Sequence, residues 1–257
     1  MLPVLALTAA LAYLVPVAGA RRPWAAHPVW GGAGLVAHLG ALGWEAVAAQ
    51  GLPLASMRWG LTALALWVAL GWVFFARRPR MESLATLLLG LAVVLLGVSQ
   101  LAPGAGEVSG ARGAWFVAHA ALILGGLGGL AVSFGLSVVF LFVRRRLKQK
   151  DLRGIARLPS LDALDRLNYQ SMAVGFVALT AGMSVGGMWA ATHPVESLGP
   201  DVTVLGTLLI WLWYAAGLHM RLVSGWRGRL AALFGVGGFA GMSLLIAVAG
   251  LVLRGWH

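Results

Sequence analysis

The chain has 257 residues, of which 60% are hydrophobic and only 11% charged, with 36 glycines and no cysteine. A soluble domain of this size cannot bury so much apolar surface, so composition places the chain among integral membrane proteins. The lack of cysteine excludes disulfides, thiolate zinc sites, iron–sulfur clusters and CxxCH haem attachment. A formal net charge of +11 would suit nucleic acid, but the basic residues fall in alternate loops between apolar runs. That pattern reports membrane orientation, and nucleic acid is not an expected partner.

Eight apolar runs are long enough to cross a ~30 Å hydrocarbon core at about 1.5 Å per residue. They lie near 2–20, 29–49, 59–76, 83–102, 113–143, 168–192, 203–223 and 230–253. The expected fold is all-α: a polytopic bundle of eight transmembrane helices forming one integral membrane domain over residues 1–257. The first run ends in Ala18-Gly19-Ala20, which looks like a cleavage site. A signal peptide carries its positive charge before the apolar core, whereas Arg21 and Arg22 come after it, so the run is expected to stay as an anchor. The fifth run exceeds one span and is expected to tilt or to project into the cytoplasm.

Loop charge predicts the topology. Arg21 and Arg22 follow the first run, and Arg77, Arg78 and Arg80 the third. Arg144, Arg145, Arg146, Lys148, Lys150, Arg153, Arg157 and Arg166 follow the fifth; Arg221, Arg227 and Arg229 follow the seventh. Of the 19 basic residues only Arg58, Arg112 and Arg254 fall elsewhere. The odd-to-even connections are therefore cytoplasmic, and both termini are expected outside. In the fifth connection, Leu161, Leu164 and Leu167 make a short apolar stripe behind Ser160, a candidate N-cap, and read as an interfacial helix lying on the cytoplasmic surface. Asp201 is a candidate N-cap for the seventh run.

Glycines at four-residue spacing (Gly125 and Gly129, Gly182 and Gly186, Gly237 and Gly241) predict close helix packing in lipid. Many of the 12 tryptophans, including Trp30, Trp44, Trp115 and Trp226, fit an aromatic belt at the interfaces.

The chemistry rests on histidine. His38, His119, His219 and His257 sit within, or at the mouth of, the apolar runs. An ionisable group inside a span costs several kcal/mol and is usually kept for a function. With the predicted topology, His38 lies ~13 Å and His219 ~6 Å from the cytoplasmic edge, and His119 ~9 Å below the outer edge. Imidazoles from two helices at one depth can hold the two axial positions of one haem b. That pairs His38 with His219 inside, and His119 with His257 or His193 outside. The competing reading for any single membrane histidine is a hydrogen-bonded packing residue. Glu45, seven residues from His38 on the same face, is a proton-relay group, a hydrogen-bond partner or a structural residue. Arg21, Arg22 and Arg221 suit lipid phosphates, and equally haem propionates. No nucleophile–base motif, phosphate loop or dinucleotide fingerprint is present, and no enzymatic activity is expected.

Several segments carry a resemblance to a known family. They are Trp115–Leu124 around His119, Leu161–Leu164 with Arg166–Tyr169, Gly175–Gly182, and Gly187–Ala190. Trp213–Arg221, containing His219, and Gly225–Arg229 complete the set. From the fifth run onward the chain resembles the cytochrome c assembly membrane family, which includes CcsA, HemX and YpjD-type inner-membrane proteins. Residues 111–257 form the assembly-like region, and 1–110 are similar in character only. The resemblance implies that His119 and a histidine after the last span, here His257, flank an outward haem, and that His219 is an inner, intramembrane ligand. It also implies a multi-pass protein of the bacterial inner (cytoplasmic) membrane, in contact with lipid, haem and other cytochrome c assembly components. CcsA proteins carry a tryptophan-rich WxWDPKE-type loop between the sixth and seventh spans. Here Thr192–Asp201 contains no tryptophan. The expected function is to hold or conduct haem b for cytochrome c assembly or haem homeostasis, without direct ligase presentation. The alternative is a HemX-like scaffold regulating a soluble tetrapyrrole-synthesis enzyme through the basic 144–166 connection.

Overall fold

The computed structural model describes residues 2–18, 27–53, 56–78, 80–102, 114–151, 158–192 and 202–254, and its elements are helices throughout. They fall into two compact units, Met1–Arg112 and Gly113–His257.

In the first unit, α1 (Leu2–Ala18), α2 (His27–Ala48), α3 (Met57–Ala76) and α4 (Glu82–Leu101) follow one another. The α1 helix packs on α2 and α4, and α3 on α2 and α4. Ser56 starts α3 by accepting the Trp59 N–H on its Oγ. A short return through Arg80, in the left-handed region at φ 64°, leads into α4. Arg58 closes the other end by donating from Nε and Nη2 to the Ala102 carbonyl at 3.1 and 2.9 Å. Small residues on α2 let large ones seat: Gly34 lies under the Tyr13 ring, where a Cβ would come within 2.4 Å, and Gly31 lies under Trp72.

In the second unit, α5 (Ala114–Lys148) and α6 (Leu161–Thr192) form the central pair, joined by α7 (Val202–Val223) and α8 (Arg229–Arg254). Gly126 and Gly129 of α5 meet Gly175 and Leu179 of α6, and a Cβ on Gly129 would stand 2.8 Å from the Gly175 Cα. Backbones this close need glycine on both sides. Of the spaced pairs predicted from sequence, Gly182 and Gly186 do pack, against Ile123 and His119, whereas Gly241 faces open space. The α5 helix has 35 residues, about 52 Å at the α-helical rise, well beyond one hydrocarbon core.

The stretch 161–167 is not a separate surface helix. It is the first two turns of α6, with Ser160 Oγ accepting the Ala163 N–H at 3.2 Å. No glycine or proline interrupts 161–174, and the buried positions Leu164, Asn168, Met172 and Leu179 stay in helical register. The apolar stripe that marks an interfacial turn is equally the start of a longer buried face.

Four helices, α3 to α6, are long and apolar enough to cross a membrane, and Val4–Val17 and Arg229–Leu245 are shorter apolar helices among the described residues. Their outward faces carry large aliphatic side chains, with Leu101 78% and Val174 70% exposed. Such surfaces are stable in hydrocarbon and not in water. The chain is a multi-pass membrane protein.

Candidate functional site

The first unit encloses His38. On α2 the buried positions Gly31, Gly34, His38, Ala41, Leu42 and Glu45 form one helical stripe, the face that the seven-residue spacing of His38 and Glu45 predicts. The His38 ring is fully buried, and both nitrogens are engaged. A carbonyl can only accept, so Nε2 carries the proton and donates to Thr62 O at 2.9 Å. That leaves Nδ1 as an acceptor for the Tyr13 hydroxyl at 3.1 Å. The imidazole thereby joins α1, α2 and α3. Ligation of iron by His38 requires one of its two partners, the Tyr13 hydroxyl or the Thr62 carbonyl, to give up its ring nitrogen. Glu45 is buried on the same stripe and lies within the electrostatic reach of Arg58. Tyr13 was not evident from sequence; the one signal was a lone tyrosine in a first helix whose other polar side chain is Thr8.

In the second unit the two described histidines occupy opposite ends. His119, near the start of α5, donates from Nδ1 to Gly182 O of α6 at 2.7 Å. Its ring lies on Gly186, where a Cβ would come within 2.6 Å, and beside Phe116, with Phe116 in turn edge-on to Trp189. The carbonyl acceptor fixes the proton on Nδ1 and leaves the Nε2 lone pair without a hydrogen-bond partner among the described residues. A histidine that holds a metal has this form: one N–H anchored to a carbonyl, the other nitrogen open. The His119 residue as a whole is half-buried.

His219 sits near the end of α7 and is exposed. It belongs to an outward stripe with Leu205, Leu209, Leu212 and Val223, so an imidazole stands in an apolar face. The opposite stripe ties α7 down. Trp211 Nε1 donates to Thr180 Oγ1 at 2.9 Å, and Tyr214 donates to Gly126 O at 2.9 Å. Arg221 donates to both carboxylate oxygens of Asp165, at 3.0 and 2.7 Å. Asp165 Oδ1 also accepts the Gly228 N–H at 2.8 Å, and Arg221 lies over the Tyr169 ring. Arg221 is thus committed within the unit, which removes it from the cations expected to meet propionates or lipid. His119 is registered to Gly182 and the end of α7 to Asp165, 17 residues apart on α6. At 1.5 Å per residue that is ~26 Å, so no single porphyrin spans both.

His193, His257 and Asp201 lie outside the described residues. Among the described residues no group of three His, Asp or Glu side chains is arranged to hold a bare metal ion. Haem iron needs only one or two imidazoles, and His119 and His219 fit that requirement, whereas His38 has no nitrogen to spare.

A multi-pass helical membrane protein with one imidazole near each end of its second unit is the class these features define. The chain belongs to the cytochrome C assembly protein family, whose model matches residues 54–257. The match reaches back through α3 and α4, farther than the segments from α5 onward that carry the likeness in the sequence, and it leaves out Tyr13 and His38. Curated relatives are named cytochrome c biogenesis protein CcsA. The protein of Prochlorococcus marinus (strain MIT 9312) is 30% identical over 148 residues, 50% of this chain and 48% of its own length. That of strain NATL1A is 27% identical over 232 residues, 79% of this chain and 71% of its own. That of Parasynechococcus marenigrum (strain WH8102) is 30% identical over 180 residues, 62% of this chain and 59% of its own. The chain spans about half the length of the first of these relatives.

Proposed function

We propose that this protein binds haem b and holds or conducts it for cytochrome c assembly or haem homeostasis, with no covalent chemistry of its own. Eight spans in a bacterial inner membrane, with both termini on the outer side, are the arrangement that the loop charges favour. The observation that carries the reading is the His119 imidazole, oriented by Gly182 O with Nε2 open. His119 is assigned to an outward haem, with His257 or His193 as its second ligand, and His219 to an inward one. Family membership and the naming of relatives for cytochrome c biogenesis support the same process.

Protein purified from haem-replete cells is expected to show a Soret band that weakens in His119→Ala and in His219→Ala. A colourless preparation overturns the proposal.

A second reading has one observation in its favour: the segment Thr192–Asp201 lacks tryptophan, so the aromatic surface of a haem-presenting loop is missing. A HemX-like scaffold would instead dock a soluble tetrapyrrole-synthesis enzyme on the basic 144–166 connection. Neutralising Arg144, Arg145 and Lys148 then abolishes partner control with haem content intact.

A further inference from the structure

We infer that Asp165 is a positioning residue for His219, fixing the last turns of α7 about their own axis; this rests on the reading of His219 as an iron ligand. Helical residues advance ~100° each. Trp211, Tyr214 and Arg221 therefore share one stripe, and Leu205, Leu209, Leu212, His219 and Val223 the stripe opposite. The direction of the His219 side chain is set by what holds the first stripe. Trp211 and Tyr214 hold the middle of α7 to α6 and α5. Beyond them, Arg221 makes the side-chain tie for the final two turns.

Asp165 does more than pair with a cation. Its carboxylate takes both Arg221 nitrogens and the Gly228 N–H, so it fixes the end of α7 and the turn into α8 together. Gly225 and Gly228 take left-handed φ in that turn, 64° and 63°, which glycine adopts without steric strain. The pair is largely enclosed, with side chains 16% and 15% exposed. Removing one partner from such a pair leaves the other charge desolvated and uncompensated. His219 makes no recorded hydrogen bond of its own among the described residues, so its placement depends on the helix beneath it. A ligand whose backbone can rotate loses the preorganisation that makes a single imidazole an effective axial ligand.

The experiment uses the full chain, which has no native cysteine. Spin labels at Val223→Cys and Val174→Cys, both exposed, report the distance between the end of α7 and α6 in lipid nanodiscs. The distribution is expected to be narrow with Asp165 and to broaden about twofold in Asp165→Asn. Haem titration in a His119→Ala background, which leaves His219 as the site observed, is expected to show roughly tenfold weaker binding in Asp165→Asn. Recovery in part is expected with Asp165→Glu. Should Asp165→Asn fail to fold, Arg221→Lys, which keeps the charge and loses the two-pronged contact, is read in the same way. An unchanged distance distribution overturns the inference, as does a broadened one with unchanged haem affinity and spectrum. If the parent binds no haem, the haem reading falls, and the positioning role falls with it, while the distances still report whether Asp165 clamps α7.

Discussion

The two units treat histidine in opposite ways. In the first, His38 is sealed, with one nitrogen donating to Thr62 O and the other accepting from Tyr13. In the second, His119 has the same carbonyl anchor but its other nitrogen is left open, and His219 stands on an outward face. Both anchored rings have a fixed tautomer, so orientation alone does not distinguish a structural imidazole from a ligand. The occupant of the second nitrogen does. In the first unit that occupant is a phenol from a neighbouring helix; in the second no described residue takes the place.

This contrast can be broken at several strengths. The most damaging change expected in either unit is Gly129→Val. Its branched side chain would enter the Gly175 backbone and cost more than ~3 kcal/mol, read as loss of monodisperse protein. Next, His38→Ala should destabilise haem-free protein by about 2–4 kcal/mol, since it leaves a cavity and strands two buried partners. Thermal unfolding in detergent measures this, and a loss no larger than that of His119→Ala would remove the distinction between the two histidines. Tyr13→Phe deletes one bond only and should cost about 1 kcal/mol. His119→Ala should cost less than ~1 kcal/mol without haem, its ring being half-exposed and singly bonded, yet it should remove the outward haem signal.

Much of the fold was legible because lipid allows so few solutions. The apolar runs from 59 to 102 and from 203 to 253 match α3, α4, α7 and α8 to within two residues at each end. The shared face of His38 and Glu45 followed from their spacing alone. The start of α6 was misread because Leu161, Leu164 and Leu167 satisfy a surface stripe and a buried one equally; only Asn168, Met172 and Leu179 further along decide between them. The Asp165–Arg221 pair joins residues 56 apart in sequence. Arg221 reads locally as one more cytoplasmic cation, and only the fold brings a carboxylate to it. Likewise the partners of His38 lie 25 and 24 residues away, and one of them is a backbone carbonyl that no side-chain pattern marks.

The continuity of α6 has a mechanical corollary. A single unbroken rod carries the carboxylate that grips the end of α7 and, ~26 Å along, the carbonyl that grips His119. It serves as a ruler for the second unit, setting the separation and the relative azimuth of both grips at once. Inserting one residue between positions 165 and 182 would swing one grip by about 100° against the other, whereas lengthening a connection at either end would leave both marks in place.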